Sequence, residues 1–323
     1  MALFKFLNPF LEAASFHQAS RILFKGALRI LLVILKDFPE FLVEHYIGLC
    51  AAIPAHCIQL RNVVLCAFPR GVTLRLDVNS LSEVPPLPEF NQVPDIRTDY
   101  VRFLEDAQIR QAVDRYIADE TPNPAALVPE LRNRIAISVA ESDGSPGVKY
   151  NLTLLYSLSL YLGSSAVNRS IERNGRVTFD PQGSEVGLLT SLIASLDGEG
   201  EFAEQSKSSF QQADNPPAAL PGQHHFINSI VNQLRYPNAH TLFFMLYILH
   251  LFSTAPKNGD VPERITRVLL ERVLAQRPHP WGLTMAFGEL LHNEKLGFWE
   301  FPWVRAEPEL LAIFQRCYGS GHL

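Results

Sequence analysis

Histidine, cysteine and arginine are the residues here that could carry chemistry, and their spacing limits what they can do. His45, Cys50, His56 and Cys57 crowd one short stretch, where a thiol and an imidazole could form a nucleophile–base pair. Such chemistry also needs an orienting acid and an oxyanion donor, and the four stand among apolar, helically spaced residues that supply neither. His224 and His225 are adjacent, so they do not share a helix face and make a poor pair of metal ligands. The cysteines at 50, 57, 66 and 317 follow no zinc spacing. Buried thiols in a reducing compartment fit them best. The chain has no phosphate-cradling glycine loop, dinucleotide fingerprint, paired-histidine zinc helix or nucleophile elbow. The expectation is a protein that is not an enzyme and holds neither metal nor cofactor.

Arginines and aromatics offer binding instead. Arg264, Arg267, Arg272 and Arg277 could grip phosphates, and an RNA-binding helical module using that face is the main alternative reading. A solvated helix face with its cations towards the C-terminus explains the series more simply. Glu263 also stands four residues before Arg267, as a local ion pair would. The net charge of −5 and the pI near 6.1 lack the basic excess of a dedicated nucleic-acid binder, so direct nucleic-acid binding is not expected. Phe298, Trp299, Phe301 and Trp303 could anchor a partner peptide, since aromatics dominate binding hot spots. Packing against the final helix is the preferred reading of that run.

The elements that must position these residues are helices. From Arg21 to Arg70, Leu23, Ala27, Ile30, Leu31, Ile34 and Leu35 recur at spacings of three and four. Asp37 is expected to cap a second helix with Pro39 in its first turn, and Phe38, Phe41, Leu42, Tyr46, Leu49 and Ile53 form its apolar face. A third short helix should run through Ile58, Leu60, Val63, Val64, Leu65 and Phe68 to Pro69. Three helices with almost no loop between them must pack on each other, which makes this stretch the expected central unit of a helical scaffold. Before it, Leu7, Phe10, Leu11 and Ala14 should face inward, with Pro9 kinking that helix or marking its start.

Downstream, residues 71–98 are proline-rich and aperiodic, an extended connection laid over the helices, with a segment that lines or fills a groove as the alternative reading. Helical texture resumes over Tyr100–Ala118, and Asn123-Pro124 opens another helix by cap and proline. SDGSPG, residues 142–147, is a turn, followed by a long helix from Tyr150 and another over Val186–Leu196. Residues 197–223 turn polar and lose their period, as a flexible insertion does. HTLFFMLYILHLF is apolar nearly all round and should be buried on several sides. In PERITRVLLERVLAQ, Ile265, Val268, Leu269 and Val273 should face in and Arg264, Arg267 and Arg272 out. No strand series is visible. The fold class is all-α, HEAT-like helical pairs forming an elongated superhelix. It is read as one domain over 1–323, divisible into stacked halves, 1–196 and 224–323. No apolar run reaches the ~20 residues of a membrane span, and the start reads as a helix face of something longer rather than as a signal peptide.

Three segments together carry a resemblance: LFKGALRILLVILKDFPEFLVEHYIGLCAAIPAHCIQLRNVVLCAFPR, FINSIVNQLRYPNAHTLFFMLYILHLF and ITRVLLERVLAQRPHPWGLTMAFGELL. In this order they resemble the C-terminal Not-one homology domain of the large scaffold subunit of the Ccr–Not deadenylase complex. The resemblance implies a HEAT-like docking platform without enzymatic activity. The partners it implies are the Not-box subunits Not two and Not three/five, the RING-type ubiquitin ligase Not four, and the rest of the scaffold chain N-terminal to these residues. It further implies work in mRNA decay, deadenylation and translational repression, in cytoplasm and nucleus. The family joins the turn here at Asp197–Gly200 almost directly to the helix near Phe226, so the polar tract between looks like a lineage-specific insertion. The residues expected to meet partners are Arg235, Tyr236, Asn238, Arg267, Arg277, His279, Phe298, Trp299 and Trp303.

Overall fold

The computed structural model describes residues 2–12, 18–72, 84, 87–140, 146–196, 222–256 and 259–319. Its fold is all-α and solenoid-like. The first helices are α1 (Ala2–Glu12), α2 (Gln18–Asp37), α3 (Pro39–Ala52) and α4 (Ile58–Leu65). Then come α5 (Tyr100–Asp106), α6 (Arg110–Ala118), α7 (Pro124–Ile135), α8 (Leu152–Asn174) and α9 (Ser184–Ser195). The last are α10 (Gly222–Val231), α11 (Ala239–Thr254), α12 (Asp260–Leu274), α13 (Trp281–His292), α14 (Pro302–Ala306) and α15 (Pro308–Gly319).

Local chemistry sets the starts. Asn123, Asn151 and Asn238 each accept a backbone N–H of the first turn through Oδ1, capping α7, α8 and α11. Pro39 and Pro124 take early helical positions that need no N–H. Asp37 does not cap α3: it is the last residue of α2, and Phe38 stands at the junction with no side-chain cap. The helical texture over Tyr100–Ala118 is two helices, because Gln108 takes a left-handed φ of 58° between α5 and α6.

The chain also makes a β-hairpin that periodicity missed. β1 (Ala136–Ala140) pairs antiparallel with β2 (Pro146–Tyr150), Ala136 opposite Tyr150 and Ala140 opposite Pro146. Two five-residue strands are too short to show a period of two against their helical flanks.

The centre of the fold is α8 rather than the Arg21–Arg70 trio, for α8 packs on α3, α5, α7, α9, α10 and α11. Gly163 on α8 lets Phe244 of α11 lie against the backbone; a Cβ there would stand 2.2 Å from its Cζ. α11 meets α8, α10, α12, α13 and the 3-10 turn Pro88–Asn91, which its nearly uniform apolarity foretold. Each large apolar side chain removed from water in this contact stabilises the fold by about 1.5–3 kcal/mol. The trio does pack on itself, but α2 lies at an edge: Ile30, Phe38 and Phe41 are exposed, as is Phe10 of α1, all four expected inward. α4 ends at Leu65, short of Pro69. Pro9 lies inside α1. Ala14 and most of the polar tract fall outside the described residues, but Gly222 and Gln223, expected in the tract, are buried in the first turn of α10.

Candidate docking surfaces

The segment between α10 and α11 turns inward and acts as a latch. Arg235 is 2% exposed; its guanidinium stands 3.8 Å from the centre of the Tyr46 ring, and Nη1–H donates to the Val43 carbonyl at 3.0 Å. A desolvated cation over an aromatic ring is worth about 2 kcal/mol. The Tyr46 hydroxyl donates to Gln233 Oε1 at 2.5 Å. The Asn238 amide donates to the Tyr236 carbonyl and the Thr241 hydroxyl. The Ala239 N–H donates to the Gln92 carbonyl at 3.0 Å, and the Gly282 N–H to the Arg235 carbonyl at 2.7 Å, so the latch binds the proline-rich connection and α13 together. A Cβ on Gly282 would meet Thr241 Cγ2 at 2.6 Å and the Leu234 carbonyl carbon at 2.9 Å.

Two more arginines are buried on neutral acceptors. Arg61 of α4 reaches past the end of α3, donating twice to the Ile53 carbonyl and once to the Tyr156 hydroxyl. Arg272 of α12 donates to Asn228 Oδ1 at 2.8 Å and Asn232 Oδ1 at 2.6 Å, while the Asn62 amide donates to the Arg272 carbonyl. Burial pulls the Arg272 guanidinium down to about 10, still protonated at neutral pH. Its expected place on a solvated face is therefore wrong: Ile265, Val268, Leu269 and Val273 do face in, but asparagines on α10 and its end draw Arg272 in with them. Arg264 and Arg267 are half-buried, and Arg267 pairs with Glu271 at 2.9 Å rather than with Glu263. The four arginines do not form one phosphate-gripping row.

Of the other expected contact residues, Arg277 is exposed and His279 half-buried, its Nε2 2.7 Å from the Ala275 carbonyl. Phe298 is buried, its ring 5.1 Å from Phe314 of α15 and 5.8 Å from Trp303. Trp299 and Trp303 are half-buried, and Trp299 Nε1–H donates to the Leu291 carbonyl. The aromatic run thus packs on the final helix. Tyr236 and Asn238 are buried beside Arg235.

Burial disfavours the charged form of several groups that suggested chemistry. Burial pushes the Cys66 thiol up to about 12 and raises Cys50, so neither is a ready thiolate. Desolvation pulls His224 down to about 3 and His225 to about 4. No metal-holding cluster of His, Cys, Asp and Glu occurs among the described residues.

A groove of about 220 Å³ opens where the latch meets the connection. Val43, Val72, Val93, Pro69, Pro94 and Pro237 give it apolar walls, with Tyr236 and Asn238 at one side and Glu40, Glu44 and Asp95 at its rim. Arg97 pairs with Glu44 at 3.1 Å, and its N–H and that of Thr98 donate to the Glu44 carbonyl, fixing the connection to α3. The backbone N–H groups of Glu40 itself and of Arg70 hold the Glu40 carboxylate below its usual range.

The family model described as "CCR4-Not complex component, Not1" matches residues 1–204 and 218–318. The chain belongs to the Not1 family. The match passes over 205–217, inside the polar tract. The chain is 35% identical over 315 residues to the CCR4-NOT transcription complex subunit let-711 of Caenorhabditis elegans, covering 96% of itself and 11% of that protein. It is 30% identical to the general negative regulator of transcription subunit 1 of Schizosaccharomyces pombe, over 91% of itself and 13% of that protein. Among solved structures it is similar to the NOT1 superfamily homology domain of Chaetomium thermophilum, at a TM-score of 0.79 and 25% identity, over 98% of itself and 56% of that chain. A Not1 C-terminal domain in complex with Not4 aligns at a TM-score of 0.74 and 27% identity, over 97% and 56%. The chain therefore spans only a small part of its curated relatives.

The Not1 motifs legible in the sequence, NQLRYPN, QLRNVVL and ITRVLLER, supply the three buried arginines. Sequence reasoning offered the connection as a segment that lines or fills a groove, but did not name Glu40, Glu44, Val93 or Asp95. Its one signal was the proline-rich VPPLPEFNQVP, which lies over the helices as expected where it is described.

Proposed function

We propose that this chain is a non-catalytic docking domain of a CCR4-Not scaffold, supporting mRNA decay, deadenylation and translational repression in cytoplasm and nucleus. Its partners in this reading are the Not-box subunits Not two and Not three/five and the Not four ubiquitin ligase, with catalysis in other subunits. The likeness to a Not1 C-terminal domain in complex with Not4 carries the reading. The groove supports it chemically. Its walls of valine, proline and tyrosine suit an extended apolar segment, and its floor is braced by the latch, so little ordering is left to be done on binding.

Co-purification with the C-terminal regions of Not two and Not three/five, and separately with Not four, tests this. A stable complex is expected. Val93→Asp, at a position 47% exposed, should weaken the partner that uses the groove by about tenfold or more while leaving the thermal midpoint unchanged. Failure of every folded partner to bind would refute the reading.

A further inference from the structure

The groove between α3, the connection and the latch carries charge of one sign. Glu40, Glu44 and Asp95 line it, and among the described residues no lysine, arginine or histidine does. Arg70 and Arg97 reach these carboxylates from outside the lining. Arg70 stands 3.8 Å from Glu40, and Arg97 stands 3.1 Å from Glu44 and 4.0 Å from Asp95, so two bases serve three acids. Both arginine side chains are well exposed, at 69% and 65%, and exposed pairs of this kind hold weakly. An incoming cation can therefore displace them or join them at the third acid. Glu44 is the best placed to receive it: it is half-buried, and the N–H groups of Arg97 and Thr98 pin its own carbonyl.

The walls limit what else can enter. Pro69, Pro94 and Pro237 bring no N–H, and the Gln92 carbonyl already accepts from Ala239, so an added β-strand would find no continuous ladder. Recognition falls to side chains. At about 220 Å³ the groove is smaller than the roughly 300–1,000 Å³ of small-molecule pockets, a size for side chains of a longer segment rather than for a whole ligand. The carboxylates do not converge on a metal ion, since no cluster of three such groups occurs among the described residues. Phosphates and nucleic acid would meet charge of their own sign.

We propose that the groove takes an extended protein segment in which aliphatic residues or prolines stand next to arginine or lysine. The apolar side chains lie against Val72 and Val93, and the cation meets Glu44 and Asp95. The inference rests on the docking reading above and adds its specificity: carboxylates of α3 and of the connection select a basic, apolar sequence in whatever partner uses this site. Charge complementarity carries the choice of occupant.

Selection of a random-sequence displayed peptide library on the 323-residue chain tests this, with the Val93→Arg chain as counter-selection. The enriched peptides should place arginine or lysine beside valine, leucine, isoleucine or proline. Their affinity, read by fluorescence anisotropy, should fall about tenfold with Asp95→Lys and should weaken with added salt. Val93→Arg should weaken them more than Val93→Asp, since only the first sets a cation in the path of a cation. Replacing the basic residue of a peptide by glutamate should restore part of the loss on the Asp95→Lys chain. Asp95→Lys should move the Tm by less than about 2 °C. Enrichment of acidic or uncharged peptides, or of none, would overturn the proposal, as would indifference to Asp95→Lys. If folded Not-box or Not four subunits bind the chain but ignore both Asp95→Lys and Val93→Arg, the docking reading stands and this inference falls. If no such subunit binds while basic peptides select the groove, the docking reading falls and the inference stands.

Discussion

Arg235 and Arg29 each stand beside large apolar residues, yet one is 2% exposed and the other faces solvent. What separates them lies on the opposing element. Arg235 meets a carbonyl and the face of a tyrosine across α3, just as Arg61 meets the Ile53 carbonyl beyond the end of that helix. Arg29 meets no such acceptor among the described residues. A guanidinium enters a core where part of its donor set is matched, because a wholly unmatched buried charge costs more than the apolar contact returns; Arg235 Nη2 and Arg272 Nη1 still find no partner among the described residues. The inner region is therefore set by polar matching, and the α1–α2 face by what it is left without.

Acid should separate the two regions most. His224 and His240 are buried neutral, each pulled from 6.5 to about 3 chiefly by desolvation. Below pH 6.5 the unfolded chain binds protons that the folded chain cannot, so stability falls as pH falls. From pH 7 to pH 5 the loss is about 2 kcal/mol per histidine. Urea midpoints should drop across that window, and His240→Gln should flatten the drop; an unchanged profile in the parent would contradict the neutral burial. Next comes Arg235→Ala, which strips the Tyr46 ring of its cation and leaves the Val43 acceptor unmet by it. A loss of about 3 kcal/mol is expected from chemical denaturation. Gly282→Ala, which sets a methyl against the backbone of the latch, should cost about 2 kcal/mol in the same assay. Smallest of all, Phe6→Ser or Val33→Ser should stay within about 0.5 kcal/mol in the isolated chain. A large loss there would turn the outer face into core and erase the contrast.

The sequence reading succeeded where one local signal sufficed. Asn123-Pro124 and Asn238 start helices as their cap chemistry requires, and α11 is buried because no side of it is polar. It failed where two faces of one helix look alike. Ile30 and Leu31 are equally apolar, and only the packing partner decides that Leu31 goes in and Ile30 out. Arg272 failed for the opposite reason: its polar type argued for solvent, while the asparagines that match it lie 40 and 44 residues away. The groove draws its walls from α3, the connection and the latch, so no window of sequence contains it.

Arg61, Arg235 and Arg272 are held by backbone carbonyls, asparagine oxygens and a tyrosine, with no carboxylate in ion-pair range among the described residues. A charge kept in place by neutral dipoles has no counter-ion for salt to screen. It also has no acidic partner whose reversal could suppress its loss genetically. Suppressors of an Arg235 defect should therefore restore volume or backbone contact around Tyr46 and Val43, and screens for compensating charge changes should return nothing from this site.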